Sequence, residues 1–462
     1  MALQDGTLVA RLMAEIRGGI AARTLAPGTR LPSIRAQAAM RNVSKTTVVE
    51  AYDRLAAEGA IESRRGAGFY VAGRMLPLSL AETGPKHDRA IDPLWVSRQS
   101  LETPGDALKP GCGWMPPAWM PEASLRRALR GLARAEAATL TDYGNPLGLP
   151  PLREHLARRL GGFGVAAAPG QILLTDSGTQ AADLLCRFLL EPGDTVLVDD
   201  PCYFNFRALL RAHRVKLVSV PYTPAGPDLA MFANILENAR PRLYITNCAV
   251  HNPTGASLSP VTAHRLLKLA EQHALIIIED DLFADFEAEP SPRLAAFDGL
   301  ERVVQIGSFS KTLSASIRCG YIAARRDWIE GLTDLKIATS FTNGLLASEV
   351  LLAVLRDGTY RKHLEGLRAR LAGAMTQASR ALRDVGLTPW VTPRAGMYLW
   401  CALPEGGDAA QIARLALAEN IVLAPGNVFS PAQSAGDFLR FNVAQCADPR
   451  LFRFLRQALP KN

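Results

Sequence analysis

The residues best able to do chemistry stand together between Gly307 and Tyr321, in the stretch GSFSKTLSASIRCGY. Lys311 sits there among small and hydroxyl-bearing residues, seven positions before Arg318. Upstream, Val303-Val304-Gln305-Ile306 reads as a buried strand ending at Gly307. A lysine just past such a strand is placed to shift its pKa and form an imine. Ser308, Ser310 and Arg318 supply what a phosphate needs, hydroxyl donors and one bidentate cation. A lysine beside a phosphate cradle points to pyridoxal 5'-phosphate held as a Schiff base. A solvated lysine in a serine-rich turn would have the same composition, so the segment alone leaves both readings open.

Four further motifs follow apolar runs. Thr175-Asp176-Ser177-Gly178-Thr179-Gln180 closes a strand-like run and opens a helical one, the arrangement of an anion-binding helix N-terminus and equally of a simple cap. Asp200-Pro201-Cys202-Tyr203 offers an aromatic side chain able to stack on a flat ring. His251-Asn252-Pro253-Thr254-Gly255 follows LYITN and is also a common turn. Ile276-Ile277-Ile278-Glu279-Asp280-Asp281 ends a buried run in carboxylates. A buried Asp there can keep a pyridine nitrogen protonated, though a strand-end salt bridge uses the same residues.

The elements that must position these motifs alternate along the chain. Strand-like runs fall at Gln171–Thr175, Thr195–Asp199, Leu217–Val220, Leu243–Asn247, Leu275–Glu279, Val303–Ile306 and Tyr321–Ala324. Helical patterns between them include Thr179–Leu190, Tyr203–His213 and Pro260–His273. The alternation predicts an α/β domain with a mainly parallel sheet, in which ligands bind beyond the carboxyl ends of the strands. Every motif above lies at such an end.

In this order the motifs resemble fold-type I pyridoxal-phosphate enzymes of the aspartate aminotransferase superfamily, over roughly residues 108–462. The resemblance implies that Lys311 carries the coenzyme and Asp280, preferred over Asp281, pairs with the pyridine nitrogen. It implies that Asn252 contacts the ring hydroxyl and Tyr203 stacks on the ring. Gly178, Thr179, Gln180, Ser308, Ser310 and Arg318 would hold the phosphate. YGNPLGLPPLREHLA matches the segment whose tyrosine reaches the partner subunit's phosphate, so Tyr143 implies a homodimer. FLRFN places Arg440 where the family binds a substrate α-carboxylate. One departure stands out: Asp280-Asp281-Leu282-Phe283 lacks the tyrosine that often follows the strand-end aspartate and tunes the aldimine, which argues against efficient transamination.

The first seventy residues have another character. Leu8, Leu12, Ile16 and Ile20 recur at helical spacing from Thr7, Ser33 can cap a second helix ending near Arg41-Asn42, and Ser44 can cap a third from Lys45 to Gly59. Ile61-Glu62-Ser63 and Phe69-Tyr70-Val71, around a turn with Gly66, read as a hairpin. That order is a winged helix-turn-helix, whose third helix enters the major groove of DNA. LAPGTRLPSIRAQA, NVSKTTVVEAYDRLAAEGAIES and RRGAGFYV resemble the GntR family of DNA-binding domains, with Ala60-Ile61 replacing a commoner aromatic-apolar pair. By that resemblance Arg30, Arg35, Lys45, Thr46 and Thr47 contact DNA and Arg64, Arg65 and Gly66 form the wing tip. Up to residue 73 ten Arg and Lys face six Asp and Glu, a positive excess suited to a polyanion.

Between them, Gly73 to about Thr103 shows no sustained period and reads as a tether with one short helix around Asp92–Leu101. Domains are therefore expected at 1–73, for DNA binding, and 106–462, for the coenzyme, with 74–105 as linker. The 462 residues exceed one core, and the net charge of +8 makes a polyanionic partner worth considering. Seven scattered cysteines without a CxxC pair point to a reducing cytoplasm. Seven histidines show no metal-binding spacing, so no metal is expected. The first residues have no signal-peptide pattern, and no apolar run is long enough to span a bilayer.

A GntR-type head joined to an aminotransferase-like body is the arrangement of MocR-type bacterial transcription regulators. The expectation is a cytoplasmic homodimer that binds promoter DNA and senses pyridoxal phosphate or its adduct with an amino acid or amine. Two rivals share the residues: an active aminotransferase acting on an amino acid, and a regulator that has lost the coenzyme.

Overall fold

The computed structural model describes residues 7–22, 24–64, 66–73, 93–103 and 105–459. They fold as two compact units. Among the described residues no helix is long and apolar enough to cross a membrane.

The N-terminal unit is built from α1 (Leu8–Ala21), α2 (Ile34–Arg41), α3 (Lys45–Ala57) and a hairpin of β1 (Ile61–Arg64) and β2 (Gly68–Val71). Each helix starts where a short hydroxyl side chain replaces a missing backbone acceptor: Thr7, Ser33 and Ser44 accept hydrogen bonds from Ala10, Ala36 and Thr47. Asn42 ends α2 in the left-handed region, φ 51°, one of the few places a non-glycine residue adopts readily. Val48, Ala51, Tyr52 and Leu55 of α3 are fully buried against Leu12, Met13 and Ile16 of α1 and against Ile61 and Val71 of the hairpin. The Tyr52 hydroxyl, buried with its ring, donates to the carbonyl of Pro32 at 3.0 Å. The helix order and hairpin are those expected from the sequence, with ends shifted by one or two residues.

In the C-terminal unit the first described element is α4 (Pro93–Glu102), at the site of the expected linker helix. Its Trp95 and Val96 are buried in that unit's core, and Lys109 Nζ donates to the carbonyls of Ser100 (3.1 Å) and Thr103 (3.2 Å) at its end. Residues 74–92 and Arg65 of the expected wing lie outside the described residues.

Eight strands form the main sheet: β3 (Ile172–Thr175), β4 (Thr195–Asp200), β5 (Lys216–Thr223), β6 (Gly226–Pro227), β7 (Leu243–Thr246), β8 (Ile276–Asp280), β9 (Val303–Ser308) and β10 (Gly320–Ala323), in the order β3-β10-β9-β8-β7-β4-β5-β6. β4, β7, β8 and β9 run parallel, with Ile245 opposite Ile278 and Ile278 opposite Val304. They are buried along their length because helices cover both faces, which explains their unbroken apolar runs. β10 runs antiparallel between β3 and β9, so its first residues reach the edge where the parallel strands end. Gly320 sits there opposite both Thr175 and Ser308. A Cβ on it would lie 2.6 Å from the Ser177 carbonyl carbon, so only glycine lets the following helix, Gly178–Leu189, start so close. A second sheet of β11 (Thr388–Pro389), β12 (Tyr398–Ala402), β13 (Ala424–Pro425) and β14 (Phe438–Asn442) is antiparallel throughout.

One buried ammonium ties these layers together. Lys336, 1% exposed on the helix Arg326–Ser340, donates to the carbonyls of Pro146 (2.7 Å) and Leu174 (2.9 Å) and to Asn343 Oδ1 (3.0 Å). Burial lowers its pKa to about 8. Lys336→Met keeps the apolar stem and leaves three acceptors without that donor, so the C-terminal unit loses about 2–4 kcal/mol of stability. All six tryptophans follow residue 93, so denaturant unfolding read by tryptophan fluorescence reports this unit selectively. An unchanged midpoint would show that other donors take over the three acceptors.

Candidate functional site

The carboxyl ends of the parallel strands surround a cavity of about 310 Å³. Lys311 and Ser310 reach it from the loop after β9, Asp280 from the end of β8, and Asn252 from the loop after β7. Tyr203 comes from the loop after β4, and Arg318 from the loop before β10. Ser177, Gly178 and Thr179 line it at the start of their helix, and Arg440 enters from β14 of the second sheet. Residues scattered over more than 260 positions of chain thus meet, all but Arg440 because they lie at or beside strand ends along one edge of the main sheet.

Lys311 Nζ donates to the Gly113 carbonyl at 2.7 Å. Burial, followed by the nearby Arg440 charge, lowers its pKa to about 8, so the amine is close to neutral in mildly basic solution. Burial raises Asp280 to about 7, opposed by the Leu282 N–H at 3.2 Å and by the Lys311 charge. Asp281 faces elsewhere: Arg293 donates to its two oxygens at 3.2 and 3.3 Å, and Gln305 Nε2 at 2.8 Å. Of the two neighbouring carboxylates, Asp280 is therefore the one in the cavity. Ser308 Oγ lies 2.9 Å from Ser310 Oγ, donates to the Cys319 carbonyl at 3.1 Å and accepts from the Ser310 N–H at 3.2 Å. Together they hold the hydroxyl turn before Lys311.

Arg440 is 1% exposed, with the Tyr398 ring 4.1 Å and the Phe429 ring 4.7 Å from its guanidinium carbon. It donates to Asn252 Oδ1 at 2.9 Å and to the Gly111 carbonyl at 2.7 Å, and its Nε is buried with no partner. Behind Asn252, His251 stacks on Tyr222 with 3.7 Å between ring centroids, bonds Thr254 Oγ1 at 2.7 Å and lies 3.4 Å from Asp199, which Thr246 and Tyr244 also bond. This layer fixes the loop that presents Asn252.

Two expected residues stand apart from the cavity. Gln180 turns back so that its side-chain oxygen accepts from the Asp176 N–H at 2.5 Å, and Ser177 takes the lining position instead. Tyr143 is 79% exposed, with its ring 4.8 Å from that of Phe341. Gly113, Trp114, Tyr398 and the α4 residues Val96, Ser97, Ser100 and Leu101 also line the cavity, and none was expected from the sequence. Ser97 and Ser100 carry no local motif, and Tyr398 in GMYLW resembles any buried strand aromatic. Phe283 packs edge-on to Tyr398 at 5.6 Å, so an apolar ring occupies the segment from which the phenol is missing.

In the N-terminal unit, Arg30, Arg35, Lys45, Thr46, Arg64 and Gly66 are all exposed and Thr47 is half-buried. Lys45 and Thr46 open α3, and the Ser44 and Thr47 hydroxyls lie 2.8 Å apart at its start. Arg64 is held by Glu62 at 2.6 Å, with its guanidinium carbon 4.3 Å from the Tyr70 ring.

The donor set fits an aromatic aldehyde phosphate: one nearly neutral amine, one carboxyl of raised pKa, a cluster of serine and glycine donors with one arginine, and a second arginine with an unpartnered Nε.

Known proteins place the same two parts in this order. Residues 8–71 match the family of bacterial regulatory proteins named gntR, and residues 113–457 match aminotransferase class I and II. The HTH-type transcriptional regulator YdcR of Escherichia coli (strain K12), described as uncharacterized, is 30% identical over 94% of each chain. The HTH-type transcriptional regulator NorG of Staphylococcus aureus (strain USA300) is 26% identical over 88% of this chain and 94% of its own. Among solved structures, the α-aminoadipate aminotransferase LysN of Thermus thermophilus, complexed with N-(5'-phosphopyridoxyl)-L-leucine, superposes with a TM-score of 0.72 at 26% identity. The match covers 79% of this chain and 94% of that one. An archaeal alanine:glyoxylate aminotransferase gives a TM-score of 0.72 at 27% identity, covering 78% and 92%. The chain belongs to the MocR-type transcription regulators, in which a gntR-family helix-turn-helix precedes a class I and II aminotransferase domain.

Proposed function

We propose that this regulator binds promoter DNA through α2, α3 and the wing, and holds pyridoxal 5'-phosphate at Lys311. The coenzyme, or its adduct with an amino acid or amine, is the signal. The observation that carries this reading is the convergence of Lys311, Asp280, Arg318 and Arg440 on one cavity. When bound, the coenzyme supplies an aldehyde on an electron-withdrawing ring. Lys311 offers its amine to that aldehyde. Asp280 holds a proton at the ring nitrogen, Asn252 bonds the ring hydroxyl and Tyr203 packs on the ring face. Ser308, Ser310, Gly178, Thr179 and Arg318 hold the phosphate, and Arg440 takes the carboxylate of the amino compound.

The Arg440–Asn252 hydrogen bond gives this arrangement a physical coupling. A carboxylate that takes up the guanidinium changes what Asn252 can offer the ring. A ligand that binds two conformers unequally shifts their population, and the DNA-binding units respond to that shift. Exposed Tyr143 with exposed Phe341 suits a surface covered by a second copy, which supports a homodimer. Turnover is the second reading of the same cavity. Leu282 and Phe283 place no phenol where a tyrosine often tunes aminotransferase chemistry, so sensing is favoured.

Three outcomes test the proposal. Purified protein given pyridoxal 5'-phosphate acquires a near-visible absorption band, and Lys311→Ala lacks it while keeping the circular dichroism of the wild type. A mutant with the wild-type band would remove Lys311 from this role. The rate of coenzyme uptake by the coenzyme-free protein rises with pH and levels off above about 8, because Lys311 must shed its proton to attack and its pKa is lowered to about 8. An ordinary lysine would keep gaining rate toward 10.5, and that profile would refute a pre-activated amine. Finally, Arg35→Ala or Lys45→Ala weakens promoter binding in an anisotropy titration without altering the band. In the wild type, log K falls by about 0.9 per unit of log salt for each phosphate contacted. Salt-independent binding, or none at low salt, would return the protein to the aminotransferase reading.

A further inference from the structure

Two polar atoms of the cavity border one small space. A Cβ on Gly113 would lie 3.2 Å from Tyr398 Oη and 3.6 Å from Lys311 Nζ. Among the described residues, outside those adjacent in the chain, it would meet no other heavy atom within 4 Å. Gly113, Lys311 and Tyr398 all line the cavity. Tyr398 is 3% exposed, and among the described residues its hydroxyl has no hydrogen-bond partner in the chain. Burial raises the pKa of this phenol, opposed by the Arg440 charge, so it stays protonated near neutral pH. A neutral O–H thus faces the same space as an amine that must gain and lose protons.

The chain fixes that hydroxyl from two sides. Tyr398 stands on β12 opposite Asn442 of β14. Asn442 Nδ2 also holds the carbonyls on either side of Gly113, those of Cys112 at 3.2 Å and Trp114 at 2.8 Å. The Tyr398 ring lies 4.1 Å from the Arg440 guanidinium carbon and 5.6 Å, edge-on, from the Phe283 ring. These contacts belong to the ring and not to the hydroxyl, so Tyr398→Phe keeps them and removes one oxygen. Other proton carriers near Lys311 are already engaged. Asp280 serves the ring nitrogen in the function proposed above, on which this inference rests, and the Cys112 thiol bonds the Trp114 carbonyl at 3.6 Å.

We infer that the Tyr398 hydroxyl carries protons to and from Lys311 Nζ when that nitrogen makes or breaks its bond to the coenzyme's carbonyl carbon. When an amino acid or amine displaces the lysine, a carbon–nitrogen linkage forms to the arriving nitrogen and the one to Nζ breaks. A neutral amine arriving at the protonated linkage sheds one proton, and Nζ gains one as it leaves neutral. The phenol oxygen accepts the first while its own proton passes to Nζ, so the hydroxyl ends as it began and nothing is oxidised or reduced. Uptake of the coenzyme needs the same relay, since Nζ gives up its protons to the aldehyde oxygen, which leaves as water.

Stopped-flow mixing of the full-length protein tests this through the near-visible band. Coenzyme-free protein is mixed with pyridoxal 5'-phosphate, and loaded protein with hydroxylamine, an amine that captures such an aldehyde whatever the natural effector is. In Tyr398→Phe both rates fall by about a hundredfold. The equilibrium affinity for the coenzyme, the position of the band and the circular dichroism stay as in the wild type. A side chain that only supports the fold would move those three readings instead. Gly113→Ala is the second variant: it keeps the phenol and the carbonyl that accepts from Nζ, but sets a methyl group against both Oη and Nζ. Its two rates fall to an intermediate level.

Wild-type rates in Tyr398→Phe overturn the inference and leave the coenzyme assignment standing. Slower uptake matched by an equal loss of equilibrium affinity makes the hydroxyl a binding contact and also overturns it. Should Tyr398→Phe not fold, wild-type rates in Gly113→Ala have the same force. A protein that never shows the band overturns the coenzyme assignment, and this inference with it.

Discussion

Two cations held by neutral acceptors, Arg440 fully buried and Lys311 half-buried, are the constraint on which the C-terminal unit depends. Lys311 donates to the Gly113 carbonyl and Arg440 to the Gly111 carbonyl and Asn252, and neither forms an ion pair among the described residues. Taking such groups out of water without a counter-charge is costly, and nearby carbonyls offset only part of that cost. The arrangement persists because the short segment 111–114 is itself tightly held. Gly111 N–H donates to Val422 at 2.8 Å, and Asn442 Nδ2 donates to the carbonyls of Cys112 (3.2 Å) and Trp114 (2.8 Å). At Gly111 a Cβ would lie 2.4 Å from the Leu423 carbonyl carbon, so any other residue would push the segment and both carbonyls away. The result is a preorganised positive field, suited to anionic groups.

The carboxylates nearby are sorted by their neighbours. Asp281 and Glu287 are bound by Arg293, while Asp285 is bound by Arg159, Thr312 and Tyr360. Glu279 caps the N–H groups of Leu294 and Ala295 at 2.8 and 2.9 Å. Asp280 alone of this group faces the cavity, where burial raises its pKa to about 7. One carboxyl is thus kept near the protonation boundary beside an amine that is also near its own. An acid and a base so closely matched can exchange a proton near neutral pH.

The N-terminal unit follows a different physical logic. Its stability rests on α3, whose four inward residues are fully buried, so the outward face is free to carry charge and hydroxyls without structural duty. Arg35, Lys45 and Thr46 remain exposed for that reason. Arg64 differs, since Glu62 and Tyr70 already hold its guanidinium. A DNA phosphate would have to compete with Glu62 for it, which makes Arg35 and Lys45 the more informative positions.

Local patterns in the chain were enough for most of this. The caps Ser33 and Ser44, the period of α3 and the apolar runs of β7, β8 and β9 are short-range signals, and the folded elements follow them closely. Lys311, Asp280, Asn252, Tyr203 and Arg318 were legible because each stands just beyond or before a strand, where a parallel sheet must place its ligands. What the chain alone could not decide concerns direction and distance. Whether Asp280 or Asp281 faces the cavity depends on Arg293, twelve residues on, and on Gln305 in the next strand. Gln180 has the composition of a phosphate ligand, yet its side chain bonds the Asp176 N–H because the turn brings that donor closer. The wall formed by α4 and Tyr398 depends on packing between segments about three hundred residues apart, which no periodicity encodes. Residue types and spacing determined which chemistry is present, and the tertiary structure decided which of those groups share a cavity, because burial and hydrogen-bond direction exist only once the chain has folded.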